Sequence, residues 1–199
     1  ETQRFIDRHV GSVICRFIPV DDRLFRKERD ITHAHKILVI LLSEMGPRVL
    51  APATSMLPRK KYPGAELYVM LFEKNREVVE LLEFVPPENI VTIRDTSLAT
   101  FITDTLTGLI RLRKIIIDVA IDCELFSRIS SILSFLSGAA VRVGFHPHTQ
   151  EGLYRGNFMN RPVIYNPYHH ISRQFLTLVE AVDSKTAPKA KHRVSDERL

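Results

Sequence analysis

The chain has 199 residues, of which 45% are hydrophobic and 26% charged, a balance that predicts one globular domain and excludes a disordered or fibrous protein. Its net charge of +5 favours acidic partners such as phosphorylated glycans and anionic lipid, while the sparse mixing of basic and aromatic residues predicts no nucleic-acid binding. No apolar run reaches the roughly 18 to 20 residues that span a bilayer, and no signal peptide is recognisable. A cytoplasmic location follows as the expectation.

The spacing of apolar and basic residues in 1–35 predicts an amphipathic helical segment that is broken at Pro19. Such a helix either docks on the domain that follows or lies in an anionic membrane interface, where basic side chains beside an apolar face contact lipid headgroups. The basic side chains that would meet the membrane are Arg4, Arg8 and Arg16. The apolar stripe consists of Phe5, Ile6, Val10, Val13, Ile14, Phe17 and Ile18.

Residues 36–182 alternate short β-branched runs with longer segments of helical period, which predicts an α/β fold, a Rossmann-like parallel sheet with flanking helices. The near-continuous apolar character of the strands indicates that both faces of the sheet are covered. Residues 183–199 lack this periodicity and predict a linker or a disordered tail. The predicted strands are 36–42, 66–72, 89–93, 115–122, 141–145 and 162–165, and the predicted helices are 47–61, 75–84, 98–113, 124–136 and one from 169 or 170 to 182.

Ligands of open parallel sheets bind beyond the carboxyl ends of the strands, so the loop after the first strand is the first candidate site. This loop consists of Ser43, Glu44, Met45 and Gly46, followed by Pro47. Glycine permits a tight turn, and proline suits the first position of a helix, whose N–H groups face any anion placed there. The pattern lacks the glycines of a dinucleotide fingerprint and the lysine of a P-loop, so an ordinary strand-to-helix turn explains it too.

The fourth predicted strand ends at Asp122, and Glu124 and Arg128 follow on the first turn of the next predicted helix, at the same edge. Acidic residues at the start of a helix also stabilise that helix, so Asp122 and Glu124 fit either a catalytic or a capping role. Four histidines lie between residues 146 and 170, but without cysteines or an HExxH helix we predict no metal site. Because Cys15 and Cys123 are far apart in the sequence, we predict that both are reduced, buried thiols.

Four segments in a fixed order add to this interpretation: KILVILLSEMG, KYPGAELYVMLFEKNREVVELL, IDVAIDCELFSRISSILSFLSGAAVRVGF and HHISRQFLTLVEAV. In this order they resemble the N-terminal, acceptor-side domain of family 9 glycosyltransferases, the ADP-heptose:lipopolysaccharide heptosyltransferases. The likeness covers residues 36–182. The combined order makes it specific, since each segment alone is an ordinary Rossmann fragment.

The resemblance implies half of a GT-B enzyme with two Rossmann-like domains, in which the N-terminal domain faces a glycolipid or lipopolysaccharide-core acceptor and the C-terminal domain binds the nucleotide sugar. It implies inverting transfer without metal or other cofactor, in which a carboxylate takes the proton of the acceptor hydroxyl. His170 matches a histidine that often opens the last helix of such a domain. The acceptor-binding candidates are Ser43, Glu44, Met45, Gly46, Glu124, Arg128 and His170.

The sequence departs from the family at the expected base. The usual Gly-Asp step after the first strand, whose Asp is the proposed base, reads Gly46-Pro47 here, and proline accepts no proton. Glu44 is the nearest substitute. The chain also has about half the length that a two-domain enzyme needs. A donor such as ADP-heptose is therefore expected only where a C-terminal domain is present, and activity stays an open question.

Three functions fit these observations. The first is the acceptor-binding domain of a glycosyltransferase that acts in lipopolysaccharide biosynthesis, with peripheral contact to the inner membrane. The second is a non-catalytic glycan-binding or assembly module that has lost the base and the donor domain. The third is an unrelated flavodoxin-like or nucleotide-binding α/β protein, which predicts saturable binding of a flavin or mononucleotide.

Overall fold

The computed structural model describes residues 7–17, 34–42, 61–83, 85–125, 127–146, 154–168 and 170–184, and these residues form a Rossmann-like α/β domain. Its six strands are all parallel and lie in the order β3-β2-β1-β4-β5-β6. The predicted fold class is therefore confirmed. The strands are β1 (Lys36–Leu41), β2 (Glu66–Phe72), β3 (Ile90–Ile93), β4 (Val119–Asp122), β5 (Val141–Phe145) and β6 (Arg161–Val163).

The structure describes five α-helices, and four of them pack on the sheet. The helix between β2 and β3 lies on one face, and the helices between β3 and β4 and between β4 and β5 lie on the other. Residues such as Leu38 and Met70 pack under α3 and α4, and residues such as Val39 and Val69 pack under α2 and α5. The helices are α1 (Ser12–Phe17), α2 (Arg76–Leu81), α3 (Leu98–Ile115), α4 (Arg128–Leu136) and α5 (Ile171–Ala181).

The N-terminal segment packs against α4. It begins with one π-helical turn, Asp7–Gly11, and continues as α1. Among the positions whose burial the structure describes, Gly11 and Cys15, one helical turn apart, are buried. Burial raises the pKa of the Cys15 thiol to about 11. Val13, which belongs to the predicted apolar stripe, is 56% exposed and therefore lies on the side of the segment that faces away from α4. The small residues face the domain because α1 lies close to Gly156, where an added Cβ would lie 3.2 Å from the Cys15 sulfur.

Several predicted boundaries differ from the structure, and two of them differ most. The predicted strand 115–122 begins only at Val119, because α3 continues to Ile115 and ends with Ile116 in the left-handed conformation. The predicted helix 124–136 begins only at Arg128, because the hydroxyl of Ser127 accepts a hydrogen bond from the Ser130 N–H and caps the helix there. Arg128 is thus on the first turn, whereas Glu124 precedes the helix.

Several predictions concern residues outside the described ranges. The predicted helix 47–61 lies outside them except for Lys61, as does the predicted tail except for Asp183 and Ser184. Among the described residues, no helix has both the length and the apolar composition to cross a membrane.

The end of α3 provides a test of backbone strain. Ile116 has a φ of 63° and is 55% exposed, and a β-branched residue is disfavoured in this conformation. We expect Ile116→Gly to raise the free energy of unfolding by about 0.5–1 kcal/mol, because relief of strain outweighs the added freedom of the unfolded chain. Urea denaturation measures this. Ile116→Ala, which keeps a Cβ, should show little gain, and an equal gain in both variants would contradict the strain interpretation.

Candidate functional site

The carboxyl ends of β1 and β4 lie side by side, at the edge where ligands of open parallel sheets bind. Ile40 in β1 pairs with Asp122 in β4, and the N–H of Cys123 donates to the Ile40 carbonyl at 3.2 Å. The residues after β4 therefore lie beside the end of β1. Pro47 and the predicted site residues after β1 lie outside the described ranges, namely Ser43, Glu44, Met45 and Gly46.

Asp122 is the centre of a buried polar network at this edge. Its Oδ1 accepts the N–H of Glu124 at 3.0 Å, and its Oδ2 accepts from Arg155 Nη2 at 2.5 Å and from Ser130 Oγ at 3.1 Å. The Asp122 side chain is fully buried. Burial raises the pKa of this carboxyl, and the Arg155 charge, the Glu124 N–H and the Ser130 hydroxyl oppose the rise. The network fixes the backbone of Glu124.

Arg155 joins this network to the start of α4. Its Nε donates to the Ser127 carbonyl at 3.0 Å, and its Nη2 also contacts Ser130 Oγ at 3.1 Å. The side chain is only 1% exposed, and Nη1 has no hydrogen-bond partner among the described residues. Sequence reasoning missed Arg155, which lies in an irregular segment. The available clue was Asp122 itself, since a carboxylate in an apolar strand needs a buried partner.

Arg128 connects the same edge to the N-terminal segment. Its Nε donates to the Tyr154 carbonyl at 2.9 Å, and its Nη1 lies 3.8 Å from Asp7 Oδ2. Asp7 Oδ1 accepts from the Ile129 N–H at 2.9 Å and from Ser127 Oγ at 3.1 Å. A carboxylate at the start of a helix stabilises it, so Asp7 holds the N-terminal segment on α4.

Glu124 lies between Asp122 and α4, with 7% of its surface exposed. Its backbone is held by Asp122, and a carboxylate there can accept a proton or a hydroxyl hydrogen bond. The guanidinium of Arg128 lies on the first turn of α4 at the same edge and can bind a phosphate or carboxylate. The described part of the predicted site thus offers one carboxylate and one cation.

His170 lies elsewhere and caps α5. Its Nδ1 accepts from the Ser172 N–H at 3.3 Å and lies 2.8 Å from Ser172 Oγ. The side chain is exposed, and its hydrogen bonds explain its place at the start of the helix. Among the described residues, no group of three or more His, Cys, Asp or Glu side chains is placed to hold a metal ion.

Arg8 and Arg16 are exposed on the N-terminal segment, and Arg4 lies outside the described ranges. The structure therefore does not bring Arg8 or Arg16 into the Asp122 network. Cys123 is buried beside that network, and burial raises the pKa of its thiol well above the usual value.

Comparison with solved structures identifies the fold. The chain is similar to E. coli heptosyltransferase WaaC with ADP-2-deoxy-2-fluoro heptose, with a TM-score of 0.61 and 15% identity over 78% of this chain and 50% of that one. It is also similar to a family 9 glycosyl transferase from Veillonella parvula, with a TM-score of 0.58 and 16% identity over 76% of this chain and 42% of that one. For E. coli ADP-heptose lps heptosyltransferase II, the TM-score is 0.57 and the identity 17% over 81% and 47%.

The chain spans about half the length of these proteins. No protein-family model matches the sequence, and no curated protein matches it. The likeness is therefore one of fold, and it confirms that the domain has the Rossmann-like architecture of the heptosyltransferases that it resembles.

Variants of Asp122 and Arg155 test whether their ion pair stabilises this edge of the sheet. We expect Arg155→Met to lower the free energy of unfolding by about 3–5 kcal/mol, because it leaves a buried carboxylate without its cation. The double variant Asp122→Asn, Arg155→Met should recover part of this loss, since it removes both charges and keeps an acceptor for the Glu124 N–H. Chemical denaturation measures both, with the exposed Lys114→Met as control. If Arg155→Met lowers the free energy of unfolding by less than about 1 kcal/mol, the ion pair does not hold this edge of the sheet in place.

Proposed function

We propose that this chain is the acceptor-binding, N-terminal domain of a heptosyltransferase-like GT-B glycosyltransferase. In the complete protein it would hold a lipopolysaccharide-core or related glycan for inverting transfer of a sugar from a nucleotide sugar bound by a C-terminal domain. The fold shared with about half of each heptosyltransferase supports this. The observation that carries the proposal is the edge beyond β1 and β4, where Asp122 fixes the backbone of Glu124 and Arg128 begins α4.

In this proposal Arg128 binds an anionic group of the acceptor. A guanidinium forms two parallel hydrogen bonds with a phosphate or carboxylate. Among the described residues, the Arg128 guanidinium makes one hydrogen bond, from Nε to the Tyr154 carbonyl. Its separation of 3.8 Å from Asp7 is that of a loose ion pair. Glycans that carry phosphate or an acidic sugar therefore fit this edge best.

Glu124 is the described carboxylate that replaces the missing base. Inverting transfer needs a carboxylate that takes the proton of the acceptor hydroxyl while that oxygen attacks the anomeric carbon and the nucleotide diphosphate leaves. Pro47 supplies none, and Glu44 remains the second candidate. The hydrogen bond from Glu124 N–H to Asp122 gives Glu124 a fixed backbone position at the edge.

The competing proposal is a non-catalytic glycan-binding module, and Pro47 is the observation that favours it. Such a module keeps the anion contact of Arg128 and needs no base. Both proposals predict glycan binding by this chain, and only the first predicts transfer once a donor domain is present.

Measurements of glycan binding separate the roles of Arg128 and Glu124. We expect Arg128→Ala to weaken binding of a phosphorylated lipopolysaccharide-core oligosaccharide about tenfold, because the charge-assisted contacts are lost. Glu124→Gln should leave binding nearly unchanged, since the amide keeps the size and polarity of the side chain. Isothermal titration calorimetry measures both, with Lys114→Ala as a charge-matched control. Equal affinities for wild type and Arg128→Ala would remove Arg128 from the site.

An assay of sugar transfer then tests Glu124 as the base. In a protein that includes a donor domain, Glu124→Gln should lower the rate with ADP-heptose by about a hundredfold or more, while Arg128→Lys keeps part of the activity. An unchanged rate for Glu124→Gln would exclude Glu124 as the base. Binding without transfer by the wild type would favour the non-catalytic module, whereas saturable flavin or mononucleotide binding by this chain alone would favour the unrelated α/β class.

We also propose that the exposed side of the N-terminal segment contacts the anionic inner membrane. Gly11 and Cys15 face the domain, which leaves Arg8, Val13 and Arg16 on the exposed side. Two cations beside an apolar side chain suit lipid headgroups. The segment can therefore dock on α4 and touch a membrane at once.

We expect the double variant Arg8→Ala, Arg16→Ala to weaken binding to phosphatidylglycerol vesicles, since each basic residue near an anionic surface contributes about 1 kcal/mol. Vesicle co-sedimentation at low and high salt measures this. The matched control is Arg113→Ala, Lys114→Ala, which removes two exposed basic residues from the end of α3. Equal binding by the wild type and the first variant would remove the membrane role.

A further inference from the structure

One aromatic ring of the described chain lies in solvent. Tyr168 is 92% exposed, whereas every other Phe or Tyr whose side chain the structure describes is buried or partly buried. The chain has no tryptophan. Aromatic side chains supply large apolar surfaces to cores and to interfaces, so a ring that the core does not use is available to a partner. Tyr168 is therefore the described aromatic side chain that a ligand can reach without a change in the fold.

Tyr168 follows β6, at the edge of the sheet that carries the proposed acceptor site. Because β4, β5 and β6 are parallel, the segment after β6 begins at the same edge as Glu124 and the start of α4. The carboxyl ends of β4 and β6 are two strand spacings apart, about 10 Å. A glycan of a few sugar units that is bound at Arg128 can therefore extend to Tyr168.

The backbone at Tyr168 is held by α5. Gln174, a buried residue of α5, accepts from the Asn166 N–H at 3.3 Å and donates to the Asn166 carbonyl. Asn166 Oδ1 in turn accepts from the Tyr168 N–H at 3.0 Å. Earlier in the segment, the Tyr165 ring packs edge-on against Phe145, with 5.7 Å between the ring centroids. Because this segment is already ordered, a ligand that contacts Tyr168 loses little affinity to ordering it.

We propose that Tyr168 is a stacking platform for a sugar ring of the acceptor and so determines which glycans bind, an inference that rests on the proposed function. The C–H groups on one face of a pyranose ring are weakly positive and pack on the negative face of an aromatic ring. The contact also removes apolar surface of both rings from water. Tyr168 thus favours a sugar with an unobstructed C–H face, placed a few units from the anionic group that Arg128 binds.

Calorimetry with the phosphorylated lipopolysaccharide-core oligosaccharide tests this contact. We expect Tyr168→Ala to weaken binding about threefold to tenfold, which is the size of one aromatic contact. Tyr168→Phe should keep the affinity, because stacking uses the ring and not the hydroxyl. Leu81→Ala, which removes an 84% exposed side chain from the end of α2, is the control for lost apolar surface. Equal affinities for the wild type and Tyr168→Ala would overturn the proposal, as would equal losses in Tyr168→Ala and Tyr168→Phe.

The variant Tyr168→Trp gives a direct optical readout. Because the wild-type chain has no tryptophan, the new indole is the only one in this chain. Its emission should move to shorter wavelength as the oligosaccharide is added, and the change should saturate at the Kd that calorimetry gives. Leu81→Trp should show no such change. Binding by Tyr168→Trp in calorimetry without a change in its emission would also overturn the proposal.

These measurements distinguish failure of the stacking contact from failure of the glycan site. If Arg128→Ala weakens binding and Tyr168→Ala does not, the proposed function stands and Tyr168 lies outside the site. If the wild type binds no oligosaccharide, both are overturned. A change in Tyr168→Trp emission with phosphatidylglycerol vesicles and none with oligosaccharide would overturn stacking and assign Tyr168 to a membrane contact.

Discussion

The carboxylate of Asp122 is fully buried, and the arrangement of the residues after β4 follows from how its charge is satisfied. A buried charge needs a partner of opposite sign and hydrogen bonds to its remaining lone pairs. Arg155, Ser130 and the N–H of Glu124 meet these needs from three different parts of the chain. The end of β4, the first turn of α4 and the segment around residue 155 are therefore held in one relative position.

The same constraint extends to the N-terminal segment. Arg155 holds the Ser127 carbonyl, and the Ser127 hydroxyl donates to Asp7, which also accepts the Ile129 N–H. Two acidic side chains thus serve the start of one helix, one from the strand before it and one from the start of the described chain. Because Asp7 caps α4 with its carboxylate, the described N-terminal residues 7–17 are part of the domain and still present Arg8 and Arg16 to solvent.

The fold was predictable where a local pattern agreed with the tertiary structure. The apolar runs of β1, β2 and β5 are long and flanked by turns, and the structure has strands at those positions. The isoleucines from 115 to 117 fit a strand equally well, but α3 extends through Ile115 and turns at Ile116. Glu124 looked like a first-turn acid, yet the Ser127 cap starts α4 later. Arg155 was beyond local reasoning, since 33 residues separate it from Asp122.

Stability alone does not account for the charged pair at this edge. Replacing a buried ion pair with apolar residues of similar volume is often neutral or stabilising, so a hydrophobic pair would support β4 as well. An apolar side chain at position 122 cannot accept the N–H of Glu124 or the hydroxyl of Ser130. The ion pair therefore sets the direction in which the chain leaves β4, which apolar packing alone does not do. A side chain that receives a proton or orients a glycan has to be held in this way, because small displacements of a reacting group cost large factors in rate.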